Sequence, residues 1–271
     1  MINILFNMNN ANLCKLCLQP KELRESHIIS EFDYKPLYDE KHRYYSLSSK
    51  KVKHEIHQKG LREKLLCQKC ESQRSRYERY VSLVINGGIE LGYKDIPGGV
   101  QISGIDYKQF KLHQLFLLWM ASISDLREFS NFKLPYDTEE ELRIILESDN
   151  PCDPEVYSCL LCALLNSSKK TIRGLILPPS SHEVSGLIYA RFLVSGMLNT
   201  FIVSQTIPDG IHEKYYLTSD GILTVYFIHP ENVPFLQGTI STIISNSLGI
   251  KSEHKDELKQ FVKYDLWEKI D

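Results

Sequence analysis

The chain has 271 residues, 42% of them hydrophobic and 24% charged, with a formal net charge of −2. This is ordinary globular composition, long enough for one large domain or two modest ones. No 18-residue apolar run occurs, so neither a membrane-spanning helix nor a membrane partner is expected. The seven cysteines are an odd number for a secreted disulfide scaffold. The opening Met1-Ile2-Asn3-Ile4-Leu5-Phe6 lacks a basic n-region and a small-residue cleavage site. A reducing, cytoplasmic location is therefore expected. The net charge hides an asymmetry. Residues 1–80 carry 16 Lys/Arg against 10 Asp/Glu, a net of +6, and the rest carries −8. A basic module on an acidic body suits a nucleic-acid-facing protein, and a solvated charged face suits the same numbers.

In chain order, residues 1–11 read as a loose lead-in. Cys14-Lys15-Leu16-Cys17 reads as a metal-binding knuckle closed by Gln19-Pro20, and residues 23–29 as a short strand presenting His27. Lys35-Pro36 interrupts any helix over 30–38. Residues 44–47 and 52–56 look like hairpin arms with a turn at 48–51. A helix is expected over 67–84, with Tyr77, Tyr80, Val81 and Val84 at helical spacing. Asn86-Gly87-Gly88 and Pro97-Gly98-Gly99 bracket an expected boundary between a module at 1–86 and a second domain at 100–271.

Asp106 is placed to cap a long apolar helix through residue 126, with Phe110, His113, Leu117, Met120 and Ile123 on one stripe and Trp119 in the core. Thr138-Glu139-Glu140-Glu141 reads as a capping box whose glutamates favour the helix N-terminus. Runs at 157–165, 171–177, 187–194, 199–205 and 222–228 read as an antiparallel sheet of about four or five strands, with Pro178-Pro179-Ser180-Ser181 among the turns. Cys159 and Cys162 sit in an apolar run and read as core cysteines. Two helices are expected at about 233–248 and 254–270. His182, His212 and His229 are isolated, and no phosphate-binding glycine loop is present.

The strongest chemical signal is the pair of C-x-x-C motifs, Cys14/Cys17 and Cys67/Cys70, separated by 49 residues. Four thiolates suit a closed, structural Zn²⁺ site. Buried free cysteines or a redox couple are the alternative. Knuckle, hairpin and a helix bearing the second pair follow the order of a treble-clef zinc module, so the expected class is α+β: that module, a helical segment, then an antiparallel sheet with flanking helices.

Cys14-x-x-Cys17, Ser26-His27-Ile28-Ile29 and Leu66-Cys67-x-x-Cys70-Glu71 together resemble the zinc-containing branch of the HNH (ββα-metal) endonucleases. They also resemble bacterial HNH-like proteins with a Ser-His-Ile-Ile and Leu-Cys-x-x-Cys-Glu signature. The resemblance covers about residues 12–82. It departs at Ser26, where the family has a metal-binding Asp; at Arg62 or Glu63, where it has Asn; and at Glu71, where it has a metal-binding His. It implies a metal-dependent endonuclease acting on DNA, with RNA a possible substrate, in an anti-phage setting. His27 would be the general base. Glu71, with Glu78 two turns along the helix, would hold Mg²⁺ or Mn²⁺. Arg62, Lys64, Arg74, Arg76 and Arg79 would contact phosphates. Glu71 and Glu78 also read as ordinary helix charges, and His27 as a histidine packed near the zinc. The alternative function is a catalytically inactive zinc module that binds nucleic acid or a protein partner. A third is an enzyme whose site lies in the C-terminal domain. The second domain is read as a sensor, a nucleic-acid-binding unit or a docking unit for a regulatory subunit.

Overall fold

The computed structural model describes residues 13–46, 55–166, 169–233 and 236. The expected lead-in, the hairpin turn at 48–51 and the two final helices (apart from Val233 and Leu236) lie outside those residues. β1 (Leu23–His27) leads through Ser30 into a single helical turn, α1 (Glu31–Tyr34), which passes into a 3-10 turn over Lys35–Leu37. Pro36 sits at the start of that turn, where its missing N–H costs nothing. β2 (Tyr44–Ser46) and β3 (Glu55–His57) pair antiparallel, Tyr44 opposite His57. β4 (Arg62–Cys67) pairs antiparallel with β1 and runs straight into α2 (Gln68–Ile85). α2 buries Cys70, Arg74, Tyr77 and Val81, positions that recur at helical spacing on one face.

Pro97-Gly98 joins two strands. β5 (Gly92–Ile96) and β6 (Gly99–Ser103) form a hairpin at one edge of the main sheet, with Gly98 at φ +73° in its two-residue turn. Gly99 is required by its neighbour, since an added Cβ would come within 2.4 Å of the Val225 carbonyl oxygen. α3 (Tyr107–Ile123) starts as expected, with the Asp106 carboxylate accepting from Gln109 N at 3.0 Å. Its expected single apolar stripe is corrected: every residue from Phe110 to Ser122 is buried, so α3 is a central helix packed on all sides. Trp119 is in that core, edge-on to Phe116.

α4 (Tyr136–Glu147) has Pro135 as its N-cap, three residues before the expected Thr138, which lies inside the helix. Glu139 and Glu141 tie α4 to other elements, and Glu140 pairs within the helix. Glu139 accepts from Ser122 (2.7 Å), Glu140 pairs with Arg143, and Glu141 accepts from Tyr157 and Gln205.

The remaining strands are β7 (Cys159–Leu164), β8 (Leu177–Val184), β9 (Leu187–Val194), β10 (Met197–Val203) and β11 (Leu223–Ile228). The sheet order is β5-β6-β11-β7-β10-β9-β8. The expectation of four or five antiparallel strands is corrected to seven in a mixed sheet, antiparallel except for β7 beside β11. The expected strand at 171–177 is replaced by one isolated bridge, Leu165 to Thr171. The supposed Pro-Pro-Ser-Ser turn belongs to β8, an edge strand, where prolines withhold no ladder donor from a second neighbour.

Among the described residues the protein is α+β, with four α-helices, the seven-stranded sheet and two small antiparallel pairs. One buried cluster runs from Cys14 through α3 to Val225. Polar ties reinforce it: Arg143 Nη1 donates to Leu16 O (2.9 Å) and Gln73 to Leu146 O (2.8 Å). Lys111 is 2% exposed and donates to the carbonyls of Pro154 (3.3 Å), Val156 (2.6 Å) and Tyr157 (3.1 Å). This cage clamps the segment leading into β7 onto α3. Lys111→Met leaves three buried acceptors without their donor and is expected to lower stability by about 2–3 kcal/mol. A denaturant midpoint equal to wild type would show that the carbonyls find other partners.

Candidate functional site

The four cysteines converge because two tight turns present them. Cys14 N donates to Gln19 O (3.0 Å) and Leu18 N to Cys14 O (2.9 Å), with Leu18 at φ +52° closing the knuckle. Lys15 N donates to Leu65 O (2.9 Å), which lays the knuckle against β4. Cys67 ends β4 and Cys70 lies in the first turn of α2. The four sulfurs lie within 4.8 Å of one another. Cys17 Sγ and Cys67 Sγ are 3.9 Å apart. A tetrahedral zinc with Zn–S bonds of about 2.3 Å has sulfur–sulfur edges of roughly 3.8 Å. The Cys67 N–H points at Cys14 Sγ (3.3 Å), a donor that favours the thiolate. An all-sulfur set, with three of the four cysteines buried, is compatible with a structural zinc and leaves no protein-supplied open position. Among the described residues no other three His, Cys, Asp or Glu side chains meet this geometry. Cys159 is buried and Cys162 half-buried on β7, both outside the cluster and in core positions as expected.

The clasp fixes how β1 lies on β4, and that register sets His27 directly across from Arg62. The imidazole is 19% exposed. Its Nε2 is 2.8 Å from Glu31 Oε2 and 2.9 Å from Arg62 Nε. Glu31 is itself held by Tyr38, whose hydroxyl donates to Oε1 at 2.9 Å. Gly60 packs beside the ring, since a Cβ there would meet the Tyr34 ring at 2.6 Å and His27 Cδ2 at 3.2 Å. Burial lowers the His27 pKa, the Arg62 charge lowers it further, and Glu31 pulls the other way. The ring is therefore neutral at neutral pH. No described residue hydrogen-bonds its Nδ1.

The two carboxylates nominated from the helix stand elsewhere. Arg74, 3% exposed, lies between them, with Nη2 at 2.7 Å from Glu78 Oε1 and Nη1 at 3.6 Å from Glu71 Oε1. Glu78 also accepts from the Ser30 hydroxyl (2.8 Å), and Ser30 Oγ is 3.2 Å from His113 Nε2. That hydroxyl has one proton, so His113 is the donor to it. Burial works to raise the Glu78 pKa, but Arg74, with Ser30 and the imidazoles, holds it below the usual range. Glu71 also borders a shallow depression on the outer face of α2 with Gln68, Ser72, Ser75, Arg76 and Arg79. No described contact joins Glu71 to His27.

Ser26 is wholly buried, accepting from Leu66 N (3.3 Å) and facing Arg24 O, so it serves the strand backbone. Glu63 turns away and accepts from Ser124 (2.8 Å) and Asp125 N (3.0 Å). Glu31 was not singled out from the sequence. Its one signal was the His-x-x-x-Glu spacing across a strand end and the helical turn after it. His57 stacks on Tyr44 and His42 on Tyr38, beside this group, while His54 lies outside the described residues.

No family model, curated protein or solved structure matches the chain. No helix among the described residues is long and apolar enough to cross a membrane.

A metal count is expected to give one zinc per chain. Cys70→Ser should lose it and melt roughly 5–10 °C lower; an unchanged melting temperature in that variant would show that the sulfurs hold no stabilising ion. A second expectation concerns pH. Asp33 is buried against Ser195 and pushed up by burial to about 7, from a usual 3.8. Between those values the folded chain keeps a proton that the unfolded chain releases, so this contribution to stability falls as pH rises. Burial lowers His113 to about 4 from 6.5, and its contribution rises with pH between those values. The two oppose each other in wild type. In Asp33→Asn only the histidine remains, so stability should climb more steeply from pH 4 to pH 7 than in wild type. Parallel curves would reject a raised Asp33.

Proposed function

We propose that residues 13–85 form a zinc-stapled module of the treble-clef, ββα-metal kind that hydrolyses phosphodiester bonds in nucleic acid, with His27 as general base. The observation that carries this reading is the setting of His27. An imidazole whose pKa burial lowers stands at a strand end with Nε2 2.9 Å from the Arg62 guanidinium that donates to it and 2.8 Å from a Glu31 carboxylate oxygen, and no described residue hydrogen-bonds its second nitrogen. A base must be unprotonated and oriented, and a scissile phosphate needs a cation close to that base. In the hydrolytic step, water attacks phosphorus as His27 Nδ1 takes its proton, the bond from phosphorus to the opposite ester oxygen breaks, and that oxygen leaves as an alcohol, taking a proton from solvent. Glu31 stabilises the imidazolium, and Arg62 offsets charge on the phosphate oxygens.

The preference for nucleic acid draws on the charge asymmetry and on α2. Arg76 and Arg79 have no carboxylate partner among the described residues and border the depression on its outer face. DNA is the first substrate to test and RNA the second. An anti-phage setting follows from the resemblance to bacterial HNH-like proteins, and a partner protein docking on the sheet suits that setting.

Glu71 and Glu78 fit a Mg²⁺ or Mn²⁺ site poorly, because the buried guanidinium of Arg74 already occupies the space between them. The same observation favours a second reading, in which the zinc module binds nucleic acid without cutting it.

Plasmid DNA and single-stranded RNA incubated with Mg²⁺, Mn²⁺ or EDTA decide between them. Cleavage by wild type, lowered at least ~100-fold in His27→Ala with binding retained, is the result expected of a lost general base. Equal cleavage by both proteins would remove His27 from the chemistry. Binding that weakens steeply with salt, without scission under any condition, would establish the second reading.

A further inference from the structure

Two partners compete for one nitrogen of His27, and they require opposite things of it. Arg62 Nε carries a hydrogen and can only donate, at 2.9 Å from Nε2. Glu31 Oε2, an ionised carboxylate oxygen, can only accept, at 2.8 Å from the same atom. A neutral imidazole has one N–H and one lone pair. With Arg62 donating into Nε2, the ring proton sits on Nδ1, and Glu31 Oε2 is left as a buried oxygen without a hydrogen-bond partner. With Nε2–H donating to Glu31, the lone pair is on Nδ1. The second arrangement leaves Nδ1 free to take a proton from water, and the first does not.

Arg62 is the movable member. Its side chain is 29% exposed, its second contact with Glu31 is loose (Nη2 at 3.8 Å), and its planar fork suits a phosphate. Glu31 is anchored by the Tyr38 hydroxyl. We infer that Arg62 is a phosphate-sensing positioning residue: a phosphate group draws its guanidinium off Nε2, and His27 changes tautomer so that Nδ1 becomes the basic nitrogen. One proton leaves Nδ1 and one reaches Nε2 through solvent, so the ring stays neutral throughout. The base is thereby masked until a phosphodiester arrives. This inference rests on His27 being the base of the proposed reaction, but the tautomer change itself is observable without any cleavage.

Long-range ¹H–¹⁵N correlation spectra of the full chain, labelled at histidine nitrogen, distinguish the two tautomers directly. In free wild type the His27 proton is expected on Nδ1. Inorganic phosphate, and more strongly a short DNA duplex in EDTA, should move it to Nε2. Arg62→Gln should carry it on Nε2 without any added anion. A free wild-type ring already protonated at Nε2, or one whose tautomer ignores both phosphate and duplex, would overturn the inference, and these wild-type titrations need no variant to fold. A tautomer change in a protein that never cleaves would uphold the Arg62 switch while sinking the hydrolase reading. Cleavage with an unmoved tautomer would do the reverse.

Discussion

The four-sulfur clasp is the constraint on which the N-terminal half depends. Cys14 and Cys17 flank Leu16, which is wholly buried, and 49 residues separate Cys17 from Cys67. Closing so long a segment by packing alone costs considerable chain entropy, and a metal bound by the four converging cysteines of the folded chain would offset that cost. Binding free energy at such a centre is folding free energy. The clasp also acts at a distance from its own ligands. It presses the knuckle onto Leu65, which sets β1 against β4, and that register brings His27 opposite Arg62.

Behind this pair lies a second group of charges with a different character. Arg74, Glu78, Ser30 and His113 link α2, the turn after β1, and α3 through contacts of 2.7 to 3.2 Å. Their burial is tolerable because each charge has an opposite charge or a hydroxyl against it. Asp33 reaches Ser195 in the β9–β10 turn and ties the same region to the main sheet. The result is one polar seam under the four-cysteine cluster and one carboxylate, Glu31, left near the surface facing the imidazole. The resemblance to HNH enzymes pointed to the helix carboxylates for chemistry. The packing commits Glu78 to a structural guanidinium and leaves Glu31 beside His27.

What could be read locally was read well. The two C-x-x-C pairs, the Asp106 cap, the helix after Cys67, the break at Lys35-Pro36 and the buried Trp119 all follow from short-range chemistry: soft ligands at turn spacing, a carboxylate before an apolar run, and a ring that cannot continue a helix. What was not legible shares a cause. Pro97-Gly98 reads as a turn in the sequence, and only Gly99 lying against Val225 shows that the turn joins two strands of the main sheet. Pro178-Pro179 looks like a turn until β8 proves to be the last strand of the sheet among the described residues. The stripe of Phe110, His113, Leu117, Met120 and Ile123 suggested one buried face of α3, yet the helix is buried all round and partners from distant segments satisfy Lys111 and His113 inside the core.

The sequence by itself determined that the first quarter of the chain carries four soft ligands at turn spacing, that His27 sits at the end of a strand, and that helices and strands share the rest. Those properties depend on residue type and on spacing of a few positions. Tertiary structure alone decided which carboxylate faces the imidazole, that a guanidinium stands between the other two, and that seven strands share one sheet. Each of those outcomes depends on groups tens of residues apart arriving at the same few ångströms. Pairwise charge and packing at that range leave no periodic trace in a single chain.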